Sequence, residues 1–493
     1  MLPNEPERAW GKETSMNVHQ NFIGGAWTPA DATIPVINPS DGQVMGEIAR
    51  GGGAEIDRAV QAAERAMGGE WGRLDATARG RLLLKLSELI KRDAEMLARM
   101  ESEDVGKPMS LARSDAAVCA RYFEYYGGAA DKVHGDTIPF QNGYTVMTVY
   151  EPHGVVGVIV PWNYPMQMTG RSVAPALAMG NAVVLKPAED TSLTALALAR
   201  LAEEAGFPEG ALNVVTGLGE EAGAALAQHP GIHHISFTGS REVGSLIQAA
   251  AARNTIPVTL ELGGKSPQIV FADADLAEAG SVITKAITQN AGQTCSAGSR
   301  VLVEDAVYDR FVADLAQRFG ALRVGSASQD LDLGPVVNRK QCERVQSYID
   351  LAKSEGLPIL AEGQLGSNLP GEGFYVRPTL IGNVPPGHRL AQEEIFGPVL
   401  VAIRVKDEEE ALRVANATEY GLAAGIWTSD LGRALRLGRK VKSGQVFINN
   451  YGAGGGVELP FGGVKGSGHG REKGFEALYG FGAVKMIAIK HGG

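Results

Sequence analysis

Cys295 and Glu261 are the two residues whose types and surroundings could do chemistry together. Cys295 follows Gly292-Gln293-Thr294 and precedes further small residues, which leave room for an incoming carbonyl group. Glu261 lies in the apolar run from Val258 to Leu262, and apolar surroundings raise the pKa of a carboxyl towards neutrality. A thiol nucleophile and a base form the pair that covalent aldehyde oxidation requires. A buried structural cysteine and a solvent-facing glutamate at a strand end are the alternatives.

The composition limits the classes of protein to which the chain can belong. Its 493 residues are too many to pack around one hydrophobic core, so we expect two or three domains. The formal charge of -10 argues against a nucleic-acid partner, and no apolar run approaches the length of a membrane span. Only three cysteines occur, without a Cys-x-x-Cys pair, so we expect no disulfide framework, no metal site and a cytoplasmic location. Met1 to Thr14 are predicted to form a loose extension.

Two blocks of alternating strands and helices are predicted to position these residues. The first is typical of a doubly wound nucleotide-binding sheet, because short β-branched runs alternate with alanine-rich helices such as Ser192 to Ala205 and Arg241 to Ala252. Its predicted strands are Val155 to Val160, Ala182 to Leu185, Leu212 to Val215, His234 to Phe237 and Val258 to Leu262. The second block, from Gln268 to Ile448, contains Cys295 and is predicted to be the catalytic domain.

Three further motifs make the chain resemble the NAD(P)-dependent aldehyde dehydrogenase superfamily, of the hydrolytic, non-acylating type. They are Pro161-Trp162-Asn163-Tyr164-Pro165, Leu185-Lys186-Pro187-Ala188-Glu189 and Glu394-Ile395-Phe396-Gly397-Pro398. The resemblance extends from about Phe22 to about Lys485. It implies an α/β fold with a Rossmann-like nucleotide-binding domain, an α/β catalytic domain and a small β oligomerisation arm.

The same resemblance implies a division of the chain. The dinucleotide-binding domain takes residues 1–133 and 153–263, the catalytic domain 264–470, and the arm and tail 134–152 and 471–493. A hairpin is predicted from Thr137 to Tyr150, with Asn142-Gly143 as its turn. The resemblance makes this hairpin part of a dimer or tetramer contact, and a hairpin packed on its own subunit is the alternative.

The resemblance also assigns catalytic roles. Cys295 attacks the aldehyde carbon, and the side-chain amide of Asn163 holds the oxyanion together with the Cys295 backbone N–H. Hydride then passes to a nicotinamide cofactor and leaves a thioester, which a water activated by Glu261 hydrolyses. Glu472 matches a glutamate that relays protons in part of the family. Asn163 as a turn residue and Glu472 as a surface charge are the alternatives.

Cofactor residues follow from the same motifs. Lys186 and Glu189 are assigned to the hydroxyl groups of the adenosine ribose. A carboxylate there favours NAD over NADP, and the use of NADP stays open. Gly239 and Ser240 lead into a helix whose free N–H groups could bind pyrophosphate, or Ser240 is a plain helix cap. The remaining predicted cofactor residues are Gly219 in a glycine-rich turn, Glu394 and Phe396 near the nicotinamide, and Trp162 in the same cleft.

The predicted substrate residues do not agree on one substrate. Arg171 would favour a semialdehyde carrying a carboxylate, but Gln289 stands where such enzymes usually have a second arginine. A surface or interdomain ion pair is the alternative for Arg171. A bulky or aromatic aldehyde is favoured by the predicted apolar and aromatic walls, which are Tyr164, Met168, Tyr451 and Val457. Gln167 is predicted to add a polar contact to the substrate.

Two other functions stay open at this stage. A CoA-acylating semialdehyde dehydrogenase would release the acyl group with CoA and would not need Glu261. A catalytically inactive member of the family, kept for a structural role, would be expected to have lost Cys295. The sequence indicates no partner beyond a further copy of the same chain.

Overall fold

A computed structural model describes residues 18–492. The predicted N-terminal extension, Met1 to Thr14, lies outside the described residues. The strands are β1 (Val18–His19), β2 (Asn21–Ile23), β3 (Ala26–Thr28), β4 (Thr33–Ile37), β5 (Val44–Ala49), β6 (Thr137–Ile138), β7 (Tyr144–Pro152), β8 (Val155–Val160), β9 (Ala182–Pro187), β10 (Leu212–Val214), β11 (His234–Thr238), β12 (Val258–Glu261), β13 (Pro267–Val270), β14 (Arg300–Glu304), β15 (Arg323–Val324), β16 (Ile359–Glu362), β17 (Gln364–Leu365), β18 (Thr379–Ile381), β19 (Val399–Val405), β20 (Ala423–Trp427), β21 (Gln445–Ile448), β22 (Gly468–His469) and β23 (Gly482–Lys490).

Helices cover both large sheets and supply most of the N-terminal region. They are α1 (Gly53–Gly68), α2 (Glu70–Arg73), α3 (Ala76–Arg92), α4 (Ala94–Val105), α5 (Met109–Ala129), α6 (Pro165–Ala178), α7 (Leu193–Ala205), α8 (Ala224–Gln228), α9 (Arg241–Asn254), α10 (Leu276–Thr288), α11 (Tyr308–Ala321), α12 (Arg339–Ser354), α13 (Arg389–Gln392), α14 (Glu408–Asn416), α15 (Leu431–Lys440) and α16 (Glu476–Gly480).

The first large sheet has the strand order β22-β12-β11-β8-β9-β10-β2-β3. Its centre, from β12 to β10, is parallel, as the β-branched runs predicted. Each predicted strand of this block is present, and β8 has the predicted bounds. Helix α7 ends at Gly206, which adopts a left-handed φ of 90° that a residue with a side chain would rarely adopt.

The second large sheet has the order β16-β18-β19-β14-β13-β20-β21 and is parallel from β18 to β21. Cys295 lies between α10 and β14, in the block that was predicted to supply it. The central strands of this sheet are buried, since every residue of β13 and β20 is buried and only Glu304 of β14 is not.

A third sheet joins the predicted hairpin to the C-terminal strand in the order β23-β7-β6. The turn is confirmed, because the Tyr144 N–H donates to the Gln141 carbonyl oxygen around Asn142-Gly143. Strand β22 lies in the range predicted for the catalytic domain, yet it pairs with β12 of the first sheet. The division into three regions therefore stays a proposal.

Two kinds of feature are absent from the described part of the chain. Over residues 18–492, no helix is long and apolar enough to cross a membrane. The same residues contain no group of three or more histidine, cysteine, aspartate or glutamate side chains placed to hold a metal ion. All three cysteines are free.

Candidate active site

The predicted site residues meet at one edge of the first sheet. Asn163 follows β8, Lys186 lies near the end of β9, Gly239 follows β11 and Glu261 ends β12. These strands are parallel neighbours in the order β12-β11-β8-β9, so their carboxyl ends lie side by side. Ligands of open α/β sheets bind at this edge.

A tight loop presents Cys295 to this edge. Three consecutive residues before it have left-handed backbones, with φ of 50° at Asn290, 52° at Ala291 and 73° at Gly292. Residues other than glycine hold this conformation only where their surroundings impose it, and such positions cluster at functional sites. Cys295 is half-buried and lines two cavities at once.

The loop is tied to Asn163 by two hydrogen bonds. The Asn163 Nδ2 donates to the Gln293 carbonyl oxygen at 2.8 Å, and the Asn290 Nδ2 donates to the Asn163 carbonyl oxygen at 2.8 Å. An amide nitrogen carries two hydrogens, so the bond to Gln293 leaves one for an oxyanion on a carbon attached to Cys295. The sequence interpretation missed Asn290 and Gln293, although both lie within five residues of the cysteine.

Glu261 is buried, and neither of its carboxylate oxygens has a hydrogen-bond partner among the described residues. Burial, followed by the negative charge of Glu472, raises its pKa well above the usual value. The predicted direction is therefore confirmed, with Glu472 as a cause that the sequence interpretation did not include. The carboxylate can lie here because a Cβ atom at Gly462 would be only 2.7 Å from its Oε1.

Burial raises the pKa of the Cys295 thiol to about 12. The positive charge of Arg171 opposes this effect most strongly, whereas Glu261 and Glu394 add to it. A pKa raised in this way favours the protonated thiol over the anion that attacks. A cation beside the sulfur, or a base, has to act before the attack.

Arg171 and Glu472 form a buried ion pair behind the cysteine. The Glu472 Oε1 also accepts hydrogen bonds from the Ser172 hydroxyl at 2.8 Å and the Ser236 hydroxyl at 2.7 Å. Arg171 donates to the Thr238 hydroxyl at 2.9 Å and lies over the Phe461 ring. Glu472 is thus no surface charge, and the ion pair of Arg171 is buried rather than at the surface. Arg171 still lines the cavity in front of Cys295.

A second cleft extends from the site across the end of the sheet. Lys186 and Glu189 form an ion pair of 2.8 Å in its wall, and Lys186 lowers the pKa of Glu189 although burial opposes it. Gly219, Gly239 and Ser240 line the same cleft, which has a volume of about 710 Å³. The Ser240 hydroxyl caps α9 by accepting from the Val243 N–H, so the cap interpretation holds while the helix N-terminus still faces the cleft.

The cleft continues to Cys295 through a cavity of about 850 Å³. Trp162 and Phe396 meet there edge to face, with ring centroids 5.3 Å apart. The Glu394 Oε1 accepts from the Gly264 N–H at 2.8 Å, and burial raises the pKa of Glu394 to about 7. A long groove with an acidic group, two aromatic rings and a helix N-terminus fits a dinucleotide, because each group has a counterpart in ribose, nicotinamide or pyrophosphate.

On the opposite side of Cys295 lies a separate cavity of about 290 Å³. Tyr164, Gln167, Met168 and Tyr451 line it, as predicted. Val457 does not, and this prediction was wrong: its side chain packs into the core cluster of the first sheet, while Leu459 and Phe461 face the cavity. Residues 457–459 form a turn, so side chains two positions apart do not share a face there as they would in a strand, and Val457 points into the core.

Comparison with known proteins now decides the family. The family model described as "Aldehyde dehydrogenase family" matches residues 27–487. The chain belongs to the aldehyde dehydrogenase family. The resemblance and the α/β fold predicted from the motifs are thereby confirmed.

Named relatives of this aldehyde dehydrogenase cover nearly its whole length. It is 44% identical to human retinal dehydrogenase 2 over 476 residues, which are 95% of this chain and 91% of the relative. It is 44% identical to the mitochondrial aldehyde dehydrogenase of Equus caballus, covering 96% of this chain and 95% of the relative. A crystal structure of betaine aldehyde dehydrogenase from Staphylococcus aureus in complex with NAD+ superposes with a TM-score of 0.92 at 37% identity, covering 96% of this chain and 95% of that one.

A protein of known structure from Burkholderia cenocepacia is more similar in sequence than these three relatives. It is 61% identical to this aldehyde dehydrogenase, with a TM-score of 0.95, and the match covers 96% of this chain and 100% of that chain.

Two sets of charged residues around the cavity in front of Cys295 were not predicted. Buried Lys107 pairs with Glu101 and Asp115, lies 4.1 Å from the centre of the Tyr164 ring, and so supports the wall that carries Asn163. Lys473 lines the cavity itself. Its signal in the sequence was only its position beside Glu472.

Proposed function

We propose that the protein oxidises an aldehyde to the carboxylic acid with NAD, consuming one water and releasing NADH and protons. One observation carries this proposal: Cys295 lines both cavities, one with the predicted cofactor residues and one with the predicted substrate residues. A nucleophile at such a junction can hold an acyl group where a dinucleotide in the neighbouring groove can reach its carbon.

The first half of the reaction uses Cys295 and Asn163. As the sulfur bonds to the aldehyde carbon, the thiol proton passes to a water molecule and the carbonyl oxygen becomes an oxyanion, to which the Asn163 amide donates. A bound NAD supplies the acceptor for hydride. Loss of hydride from the tetrahedral carbon restores the C=O bond and leaves a thioester on Cys295.

The second half uses Glu261. A buried carboxylate without hydrogen-bond partners is free to accept a proton from a water molecule, and its raised pKa strengthens it as a base. The water oxygen attacks the thioester, the C–S bond breaks, and the sulfur regains a proton. Glu472 is held by Arg171 and two serines within electrostatic range of Glu261, which supports a role in passing that proton on.

NAD is favoured over NADP because the Glu189 carboxylate lines the groove and would repel a 2′-phosphate. The NAD+ complex of the betaine aldehyde dehydrogenase supports the same choice. A cavity lined by Tyr164, Met168 and Tyr451 supports a bulky or aromatic aldehyde.

The oligomeric state and the cellular location of the protein are also proposals. Strand β23 exposes Val484, Met486, Ile487 and Ile489, an apolar surface that a second copy of the chain would cover. A dimer or tetramer of the chain fits this surface. The cytoplasmic location rests on cysteine usage alone, and some relatives are named as mitochondrial.

Glu261→Gln tests the proposal against the two alternatives, a CoA-acylating semialdehyde dehydrogenase and a catalytically inactive member of the family. We expect a burst of about one NADH per active site followed by turnover slowed about 100-fold or more, because acylation survives and hydrolysis loses its base. Cys295→Ala should show no burst. The same traces are recorded with and without CoA, and the product is identified as acid or acyl-CoA.

Three outcomes would count against the proposal. Normal cycling of Glu261→Gln removes Glu261 as the base. Acyl-CoA formed by the wild-type protein supports the acylating alternative. Absence of NADH formation by the wild-type protein across aliphatic and aromatic aldehydes supports the inactive alternative.

A further inference from the structure

We infer that Lys473 binds a carboxylate at the far end of the aldehyde substrate, so that the preferred substrates carry both an aldehyde and a carboxylate group. This inference rests on the proposed function and specifies its substrate class. The inference is based on the charged side chains that line the cavity in front of Cys295.

Three charged side chains line that cavity: Asp115, Arg171 and Lys473. Asp115 is paired with buried Lys107, which it shares with Glu101, and also accepts from the Gln167 amide at 2.6 Å. Arg171 is neutralised by buried Glu472. Within the described part of the chain, no carboxylate lies within 4.0 Å of the Lys473 ammonium group. Lys473 is therefore the one lining charge in this set that lacks a counterion.

The surroundings of Lys473 satisfy its ammonium group only in part. The residue is 7% exposed, its Nζ donates to the Gly455 carbonyl oxygen at 3.0 Å, and it lies 5.6 Å from the centre of the Phe461 ring. An ammonium group has three donors, and a buried cation is costly unless it is paired. A substrate carboxylate would supply the missing charge and acceptors.

The backbone holds Lys473 in place on both sides. Glu472 exchanges two hydrogen bonds with Phe461, and Gly474 donates to the Val457 carbonyl oxygen while its own carbonyl accepts from the Tyr126 hydroxyl. Between these anchors Lys473 has a left-handed φ of 60°. A non-glycine residue held in this conformation marks a site where the position of the side chain matters.

Two further facts agree with an anion at this point. Burial, followed by the charge of Arg171, lowers the pKa of Lys473 to about 8, and a bound carboxylate would relieve both effects. Glu458 attracts Lys473 but is itself paired with Arg121. The nearest competing acid is thus already occupied.

The remaining walls leave room for an apolar body between the two ends of the substrate. Leu111, Val118, Met168 and Phe447 line the same cavity. Both an aromatic aldehyde acid and an aliphatic semialdehyde have this chemistry, and paired substrates distinguish them.

The experiment compares substrates that differ in charge. One pair is 4-carboxybenzaldehyde and its neutral methyl ester, and the other is succinic semialdehyde and butanal. For the wild-type protein we expect kcat/KM to favour the acid of at least one pair about tenfold or more. In Lys473→Met the acid-to-neutral ratio should fall about 10-fold to 100-fold, mainly through KM, since a charge-assisted hydrogen bond is lost.

Controls separate charge at this point from charge elsewhere. Lys473→Arg should restore part of the ratio, and exposed Lys132→Met should leave it unchanged. Lys473→Gln, with NAD binding and far-UV circular dichroism measured beside it, replaces Lys473→Met if that variant fails to fold.

The possible results distinguish this inference from the proposed function. An unchanged ratio in a folded Lys473 variant, or a wild-type protein that oxidises acids and neutral aldehydes alike, overturns the inference and leaves aldehyde oxidation standing. A fall in the ratio with Arg171→Met alone makes Arg171 the anchor instead. If the wild-type protein oxidises none of the four compounds, the proposed function fails as well.

Discussion

Arg171→Met tests how much the buried ion pair between Arg171 and Glu472 contributes to the stability of the fold. The two side chains are 3% and 0% exposed, and the substitution leaves the Glu472 carboxylate with only the hydroxyls of Ser172 and Ser236. Removing one partner of a buried ion pair costs about 3 to 5 kcal/mol of unfolding free energy. The hydroxyl hydrogen bonds remain, so we expect a value near the lower end of that range.

Protonation sets an upper bound on this loss. Placing a proton on an ordinary glutamate costs about 3.7 kcal/mol at pH 7 and about 1 kcal/mol at pH 5. A variant that neutralises Glu472 in this way binds more protons when folded than when unfolded, so its stability falls as pH rises. The difference between wild-type protein and variant should therefore be smaller at pH 5 than at pH 7.

Urea denaturation followed by far-UV circular dichroism at both pH values measures these losses. The double variant Arg171→Met with Glu472→Gln removes both charges and should be more stable than the sum of the single losses implies, by about 2 kcal/mol. Lys353→Met, which breaks an exposed pair with Glu362, is the matched control and should leave the midpoint nearly unchanged. Additive losses in the double variant, or an Arg171 variant as stable as the control, would refute the reasoning.

Two further substitutions address the oxyanion and the cofactor. Asn163→Ala should lower kcat about 100-fold to 1000-fold while NAD binding, measured by fluorescence quenching, is retained, because one donor to the oxyanion is lost; a change confined to KM would contradict this role. Glu189→Gln should narrow the preference for NAD over NADP, measured as a ratio of kcat/KM values, by about tenfold, because the repulsion of a 2′-phosphate is removed. An unchanged ratio would show that selectivity arises elsewhere in the groove.

Local sequence patterns were sufficient to predict the strands and helices that hold the site. The β-branched run of β8 and the Gly206 stop of α7 depend on neighbouring residues alone, and both were predicted correctly. Cys295, Glu261 and Asn163 were identified because each lies in a motif, and the structure brings them to the same cavity.

Contacts between distant segments could not be predicted in the same way. Whether Arg171 meets a substrate or Glu472 depends on how a loop near the C-terminus packs against α6, which no pattern near either residue records. Val457 was misassigned because apolar residues suit a cavity wall and a core equally well. Lys473 was overlooked because its lack of a counterion is a property of its neighbours in space.

The position of Cys295 at the meeting point of two cavities gives each ligand its own entrance. A thiol-directed inhibitor shaped for the aldehyde entrance would stop turnover yet leave the dinucleotide entrance clear, so the blocked protein should still take up NAD. Selective inactivators could then be built from the aldehyde side alone, without having to outcompete an abundant cofactor.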